Sequence, residues 1–372
     1  MVHRKVLLPP VPYQSVTLSI SEMPRKIDLK SLSKDGVYSF AADHDLPRYR
    51  ADQLLHWIYE RYAQSLQEIT EFSRALRDEL GREAYISNLR LITRQISGDG
   101  TKKFLFAPED EQTIESVLIP DEDRLTLCIS SQVGCAMGCG FCLTGEMGLT
   151  RNLKAHEIVD QVISVNRLIS TEKKYQKRRI TNIVLMGMGE PLANFDEVAE
   201  ALRRITGLMG ISKRRITLST SGVVPKMLEL PKKAPDDNLA VSLNATTDEV
   251  RNRLMPVNRT YPIRMLIDAC RRYPLQPRRR ITFEYVLIDG MNNTREDARR
   301  LVKLLRGIPC KVNLIPYNPH DQSTMKRPSE ETVLAFQKVL TDNHMTALVR
   351  ESKGQDILAA CGQLRGTYGE KD

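Results

Sequence analysis

From Tyr49 to about Leu80 the apolar positions recur at helical spacing. In YRADQLLHWIYERYA, Leu54, Leu55, Trp57, Ile58 and Tyr62 share one broad face, and LQEITEFSRALRDEL repeats the style. A period near 3.6 on a charged background predicts amphipathic helices, and residues 31–90 read as a small helical accessory domain. Ahead of it, residues 1–30 are proline-rich and without period, which predicts a loosely ordered arm. After it come short extended segments: SNLRLITRQIS, KKFLFAP, TIESVLIP and LTLCISS. Turns such as Gly98-Asp99-Gly100 and Pro120-Asp121 divide them, and residues 91–120 read as an extended hairpin connection.

Beyond Cys142 the rhythm changes. Strand-like runs rich in β-branched residues (ITNIVLM, RRITLST, NLAVSLN, ITFEYVLI, KVNLIPY and TALVR) alternate with helical stretches such as AHEIVDQVISVNRLI, FDEVAEALRRIT, IRMLIDACRRY, REDARRLVKLLR and EETVLAFQKVL. Such alternation predicts an α/β fold with a parallel sheet. With LTLCISS as the first strand, it predicts a partial (β/α)6 TIM-type barrel over residues 121–355, whose ligands belong at the C-terminal ends of the strands. Residues 356–372 remain as a C-terminal segment and tail.

Composition narrows the class. The chain has 372 residues, 41% hydrophobic and 27% charged, which fits a soluble globular protein. No apolar run approaches the roughly 18 residues of a membrane span, so no membrane partner is expected. The basic flank at the N-terminus precedes an apolar stretch broken by Pro9 and Pro10, a poor signal peptide. A cytoplasmic monomer is expected, and there cysteines stay reduced and serve metals or catalysis. The net charge of +9 fits a nucleic-acid partner or simply a solvated basic surface. The basic clusters are local: Lys173-Lys174, Lys177-Arg178-Arg179, Lys213-Arg214-Arg215 and Arg278-Arg279-Arg280.

The stretch CISSQVGCAMGCGFC holds Cys128 and the triplet Cys135, Cys139 and Cys142, spaced C-x3-C-x2-C on the loop after the first barrel strand. A structural zinc needs four ligands, and the nearby candidate for a fourth is His156, on a predicted helix. An iron–sulfur cluster is held by cysteine thiolates, and three of them leave one iron open to chelate a small ligand. Gly134, Gly138 and Gly140 would let the backbone wrap close, and Phe141 would shield the site from water. C-x3-C-x2-C with an aromatic before the third cysteine resembles the signature of radical S-adenosylmethionine (SAM) enzymes, whose open iron holds the methionine part of SAM. MGMGEP follows the next strand, and its Gly189 and Glu190 are similar to that superfamily's motif for gripping the SAM amino group. A glycine pair at a strand end also lets backbone approach a ligand. Small polar residues close the other strands. Of these Ser221, Ser242 with Leu243 and Asn244, and Asn318 are candidates to line the SAM site.

Two further cysteines stand out: Cys128 at a strand end, and Cys361 between small residues in DILAACGQLRG. Cys270 and Cys310 fit apolar positions of a helix and a strand. Together, SSQVGC-x3-C-x2-C-x-TG, RNL, MGMGEP, LSTSGVVP, SLN, NLIPYNP and AACGQL resemble the RlmN family of dual-specificity adenine C2-methyltransferases of 23S rRNA and tRNA. The resemblance runs from YRADQLLHWIY through AACGQLRG. It implies one [4Fe-4S] cluster on Cys135, Cys139 and Cys142, and two SAM molecules per turnover. Cys361 takes a methyl from the first SAM, and the second is cleaved to a 5′-deoxyadenosyl radical that removes a hydrogen from methylated Cys361. The methylene radical adds to carbon 2 of the adenine and joins protein to RNA. Glu115 matches the proposed base for the carbon-2 proton. Cys128 then attacks the Cys361 sulfur, releasing methylated RNA and leaving a transient disulfide. Met186 matches a residue suspected of supporting the radical step; an ordinary core methionine is the other reading. The resemblance also implies a flavodoxin- or ferredoxin-type electron donor. Two rivals stay open: the antibiotic-resistance branch that methylates carbon 8, and a non-catalytic RNA-binding protein stabilised by zinc or a cluster.

Overall fold

The computed structural model describes residues 26–176, 178–235, 237–320 and 323–366. Residues up to Arg25 of the expected arm, Lys177 of one basic cluster, and the tail beyond Gly366 lie outside them. The end of that arm is ordered. Ile27–Asp28 (β1) pairs parallel with Ala84–Tyr85 (β2), and Lys30 is 1% exposed.

Between these two strands lie helices Lys34–Asp43 (α1), Arg48–Tyr59 (α2) and Arg74–Glu83 (α3). The helical pattern expected through Leu80 is interrupted. Leu66–Glu68 makes a single 3-10 turn, and Ser73 starts α3 by accepting from the Leu76 amide at 3.2 Å. The helix α1 has no strong apolar stripe; Ser33 caps it, and Val37, Phe40 and Ala41 are its buried residues.

Arg90–Ile96 (β3), Lys102–Ala107 (β4), Ile114–Asp121 (β5) and Arg124–Cys128 (β6) pair antiparallel in succession. The small pair Gln132–Gly134 (β7) and Leu149–Asn152 (β8) brackets the cysteine loop, which contains the short helix Leu143–Glu146 (α4). Strands and helices then alternate: Ala155–Ser170 (α5), Asn182–Leu185 (β9), Phe195–Gly207 (α6), Ile216–Thr220 (β10), Val224–Lys233 (α7), Asn238–Ser242 (β11), Asp248–Leu254 (α8), Ile263–Arg272 (α9), Ile281–Leu287 (β12), Arg295–Leu305 (α10), Cys310–Pro316 (β13), Glu330–Asp342 (α11) and Ala347–Val349 (β14). The sheet order β14-β13-β12-β11-β10-β9-β6-β5-β4-β3 makes one ten-stranded sheet, parallel from β6 through β9 to β14. The partial α/β barrel is therefore as expected, with the strand order following the chain. Among the described residues no helix is long and apolar enough to cross a membrane.

The segment read as a hairpin connection is part of this sheet. In β4 every residue is buried, so both faces are covered. Phe104 and Phe106 stack at 5.8 Å between ring centroids on one face. On the other, Lys103 pairs across to Val117, Val117 to Cys128 and Cys128 to Val184. Residues opposite one another across a sheet share a face, as do residues two apart on a strand. Lys103, Glu115, Val117 and Cys128 therefore look the same way, toward residues 357–364 of the C-terminal segment.

The helical module docks on the barrel through buried charge. Lys30 Nζ pairs with Asp160 of α5, whose other oxygen accepts from the Leu89 amide at 2.7 Å; Arg204 of α6 donates to the Lys30 carbonyl at 2.7 Å. Removing one partner of a buried pair leaves the other uncompensated, at a cost of about 3–5 kcal/mol. Lys30→Met is therefore expected to lower stability by that order and to speed amide hydrogen exchange in α1–α3 ahead of the barrel. Unchanged exchange in those helices would contradict this docking role.

Candidate active site

The cysteine loop is shaped by close backbone contacts. Gly134 has φ of +74°, and a Cβ there would lie 1.9 Å from the Gly148 carbonyl, which accepts from the Cys135 amide at 2.8 Å. Gly138 has φ of +60°. Gly140 has no positive φ, and a Cβ there would find its nearest atom at 3.6 Å, so it is not needed for the wrap. Gly145 is needed, because a Cβ would lie 2.9 Å from the Cys139 amide nitrogen. The Cys142 amide donates to the Cys139 carbonyl at 3.1 Å, and the Gly140 amide docks on the last carbonyl of α8, Leu254, at 3.0 Å.

The three thiols lie within one another's electrostatic reach. Burial pushes Cys139 up, and charge on Cys142 and Cys135 pushes it further; burial likewise raises Cys142, and takes Cys135 to about 11. Binding an iron–sulfur cluster here must therefore release protons. Among the described residues no group of His, Cys, Asp or Glu is assembled as a single-ion site. His156, the candidate fourth zinc ligand, turns instead to Asp28 at 3.7 Å, under the helical module. Three neighbouring thiols on one loop, without that histidine, fit a cluster with an open iron better than structural zinc.

MGMGEP runs alongside the approach to this loop. A Cβ on Gly187 would lie 2.7 Å from the Ile129 carbonyl, and one on Gly189, at φ +101°, would lie 2.6 Å from Gln132 Cβ. These glycines thus make room for residues 129–132. The Ser131 amide donates to the Met188 carbonyl at 2.8 Å, and the Met188 amide to Ser130 Oγ at 2.9 Å. Glu190 is 3% exposed. Its oxygens accept the Leu192 amide at 3.0 Å and the Ser221 amide at 2.6 Å. Burial raises this carboxyl, against the pull of those amides.

Ser221 Oγ is buried beside the Glu190 carboxylate without a hydrogen bond of normal length, and an atom so placed fits a site that receives a polar ligand. Ser242 and Leu243 offer their carbonyls to Arg251, each at 3.0 Å. Asn244 is left-handed at φ +56°; its Oδ1 accepts from the Val286 amide at 2.8 Å and its Nδ2 reaches Met255 Sδ at 3.2 Å. Arg251, which the sequence pattern does not distinguish, is 0% exposed, and its guanidinium also donates to the Ser221 carbonyl at 2.7 Å and to Asn258 Oδ1 at 2.9 Å. Burial lowers it to about 10, partly offset by charge on Cys139.

Past a 3-10 turn at Gln355–Ile357, residues 358–366 close the site without helix or strand. Leu143 of the cysteine loop donates to the Gly362 carbonyl at 2.8 Å, Thr144 Oγ1 to Leu364 at 2.5 Å, and Asn318 Nδ2 to the Cys361 carbonyl at 3.1 Å. Cys361 is accessible, yet enough protein surrounds its sulfur to push the thiol up to about 11, with smaller contributions from Glu284 and Cys142. Burial raises Cys128, and charge on Cys361 raises it further; the Met186 amide donates to its sulfur. Met186 is half-buried against the cluster of Val117, Cys128, Met188, Ala359 and Leu364. All seven cysteines are free, so the transient disulfide is not present in this structure.

Glu115 is not an exposed strand carboxylate. It is 1% exposed, with Oε1 3.1 Å from Lys103 Nζ and Oε2 accepting from the Arg365 amide at 2.9 Å. Lys103 escaped the sequence reading because nothing in the run KKFLFAP shows that both of its lysines are buried, on opposite faces of β4. Glu284 escaped it as well. It is a buried carboxylate of β12 that accepts from Asn313 at 2.9 Å, and burial raises it.

Comparison with known proteins agrees with this geometry. Residues 129–305 match the family model described as the radical SAM superfamily, and residues 27–86 match that of the ribosomal RNA large subunit methyltransferase N-terminal domain. The chain is 51% identical over 346 residues to the dual-specificity RNA methyltransferase RlmN of Pelobacter propionicus, covering 92% of this chain and 97% of that one. The protein of the same name from Geobacter sulfurreducens is also 51% identical, over 92% of this chain and 93% of its own. The crystal structure of a radical SAM methyltransferase from Sphaerobacter thermophilus superposes with a TM-score of 0.87 at 44% identity, covering 92% of this chain and all of that one. Thiol triplet, barrel and helical module thus converge on one ancestry: the chain belongs to the RlmN family of radical SAM RNA methyltransferases.

Proposed function

We propose that the protein methylates carbon 2 of adenosine in 23S rRNA and tRNA, with Cys361 as methyl carrier and Cys128 as resolving thiol. The observation that carries this reading is that Cys128 packs against Ala359 and Leu364, on either side of Cys361, close enough for charge on Cys361 to act on it, with Glu115 and the cysteine loop both hydrogen-bonded to the Cys361 segment. A structural iron–sulfur protein has no use for a second, charge-coupled thiol pair.

Cys135, Cys139 and Cys142 would hold a [4Fe-4S] cluster, which when bound chelates SAM and supplies the electron that cleaves it to a 5′-deoxyadenosyl radical. Glu190, Ser221 and the main chain at Gly189 would face the methionine part of SAM. Leu243 and Asn244 shape the wall beside it, and Ser242 and Asn318 line the same end of the barrel. Carbon 2 of adenine has no lone pair with which to attack a sulfonium methyl, so the methyl must first be carried by sulfur. Cys361 is accessible for that transfer. Glu115 takes the carbon-2 proton, and Met186 packs beside Cys128 and shields it. The adduct radical must also lose one electron, which the cluster would accept; Cys128 then attacks the Cys361 sulfur, and the carbon that leaves takes up a proton as the product methyl. The target adenine must leave its stack to reach Cys361, so unpaired loops are the expected RNA elements. A flavodoxin- or ferredoxin-type protein is the proposed electron donor to a monomeric enzyme.

Because the ligand-free Cys361 thiol sits near 11, it is mostly protonated at neutral pH, and its thiolate fraction rises as pH approaches that value. Alkylation of Cys361 by iodoacetamide in the apo protein, followed by peptide mass spectrometry, is expected to accelerate about tenfold per pH unit from about 7 to about 9. A plateau within that range would mean a lower thiol pKa than this environment imposes.

The reaction itself is tested by anaerobic reconstitution with SAM, a reductant and a 23S rRNA fragment, with products compared against 2-methyl- and 8-methyladenosine. Wild type is expected to yield 2-methyladenosine, and Cys128→Ala to accumulate a covalent protein–RNA adduct. An 8-methyladenosine product would assign the protein to the carbon-8 chemistry instead. An intact cluster that cleaves SAM without methylating adenosine would leave the fold standing and remove the substrate.

A further inference from the structure

Lys103 is a buried cation that none of the steps above uses. It is 7% exposed, and its Nζ lies 3.1 Å from Glu115 Oε1 and 3.2 Å from the Leu358 carbonyl. Its strand partner is Val117, which is itself opposite Cys128. One ammonium therefore touches the base, and touches the chain three residues ahead of Cys361. Four residues past Cys361, the Arg365 amide binds the other oxygen of the same carboxylate at 2.9 Å. The methyl-carrying cysteine is thus bracketed by two contacts to a single Lys103–Glu115 pair.

The backbone shows what this bracket holds. Leu358 is left-handed, at φ +51° and ψ 45°, a conformation costly for a side chain with a Cβ. Gly354 opens the same turn at φ +66°, where a Cβ would lie 2.8 Å from that of Ala359. A strained turn persists only where its surroundings over-determine it, and the bond from Lys103 to the Leu358 carbonyl is part of that constraint.

We propose that Lys103 is a positioning residue that locks Glu115 and the Cys361 segment into one unit, so that base and methyl carrier meet the same adenine carbon. The inference rests on the proposed roles of those two residues. A lysine serves here because its ammonium is a compact point charge with donors in several directions, able to bind a carboxylate and a carbonyl at once. Without it Glu115 keeps, among the described residues, only the Arg365 amide, and Leu358 loses its bond to β4, while Gly354 and Asp356 stay bound to the β3–β4 turn.

The test uses full-length, cluster-loaded wild type, Lys103→Met and Lys103→Arg with SAM, reductant and the rRNA fragment. Methylated RNA released is measured by nucleoside mass spectrometry, and three further quantities are followed: methyl on Cys361 by peptide mass spectrometry, 5′-deoxyadenosine formed, and covalent protein–RNA adduct on denaturing gels. Lys103→Met is expected to keep Cys361 methylation and 5′-deoxyadenosine within about twofold of wild type. Its release of methylated RNA should fall on the order of a hundredfold while adduct accumulates, within the roughly 10²–10⁴-fold that a positioned general base contributes. Lys103→Arg, which keeps the charge, is expected to restore much of the adduct clearance. Adduct clearance at the wild-type rate in Lys103→Met overturns the inference. So does a parallel fall of all three quantities in both variants, since Lys103 would then serve folding alone. Absence of methylated Cys361 from wild type overturns the parent reading and this inference with it.

Discussion

At the mouth of the barrel, main chain meets main chain at a point with no room for a side chain. Residues 187–189, just past β9, press against residues 129–132, just past β6, and a Cβ at Gly187 or Gly189 would lie under 3 Å from that neighbour. The contact sets the distance between the cysteine loop, which begins three residues past Gln132, and Glu190, which follows directly on Gly189. Gln132 completes it, with Oε1 accepting the Glu190 amide at 2.8 Å and Nε2 donating to Asn152 at 2.8 Å across the β7–β8 pair. Thiol triplet and buried carboxylate are therefore placed by one rigid backbone junction rather than by flexible side chains, which suits a site that must hold reactive groups to a fraction of an ångström.

Around that junction the protein buries charge it could have left in water. Glu190 is held by amides, Arg251 by carbonyls, and Lys103 and Glu115 by one another. A buried ion without partners costs several kcal/mol, so each of these is wired into the main chain of more than one element. Arg251 illustrates the gain. With four oxygen acceptors drawn from residues 221, 242, 243 and 258, it pins the ends of β10 and β11 to α8, the helix on which the cysteine loop rests.

Much of this was legible beforehand. The alternation of β-branched runs with amphipathic stretches predicts the barrel, because parallel strands buried on both faces cannot carry a polar side. The cysteine spacing and MGMGEP locate the reactive end of the barrel, since glycine and cysteine at strand ends have few other uses. What stayed hidden has a physical cause. The strands β3–β5 read as a connection because antiparallel hairpins look alike whether they stand alone or extend a sheet. The burial of Lys103 and Glu115 is not legible because it depends on the C-terminal segment, more than two hundred residues away in sequence. Gly187 and Gly189 read as room for a ligand because sequence cannot say which backbone comes close.

That separation bears on how the protein folds. The contacts that seat Cys361 join residues 250, 255 and 258 positions apart, through Arg365 to Glu115, Leu358 to Lys103 and Asp356 to Gly98. Loops of that length close late, after the local helices and the neighbouring parallel strands have formed. The segment that carries Cys361 therefore meets Glu115 and the Cys128 face of the sheet only when the rest of the barrel is in register. Partly folded chains, in which a mispaired cysteine would do most harm, keep their reactive sulfurs apart by topology alone.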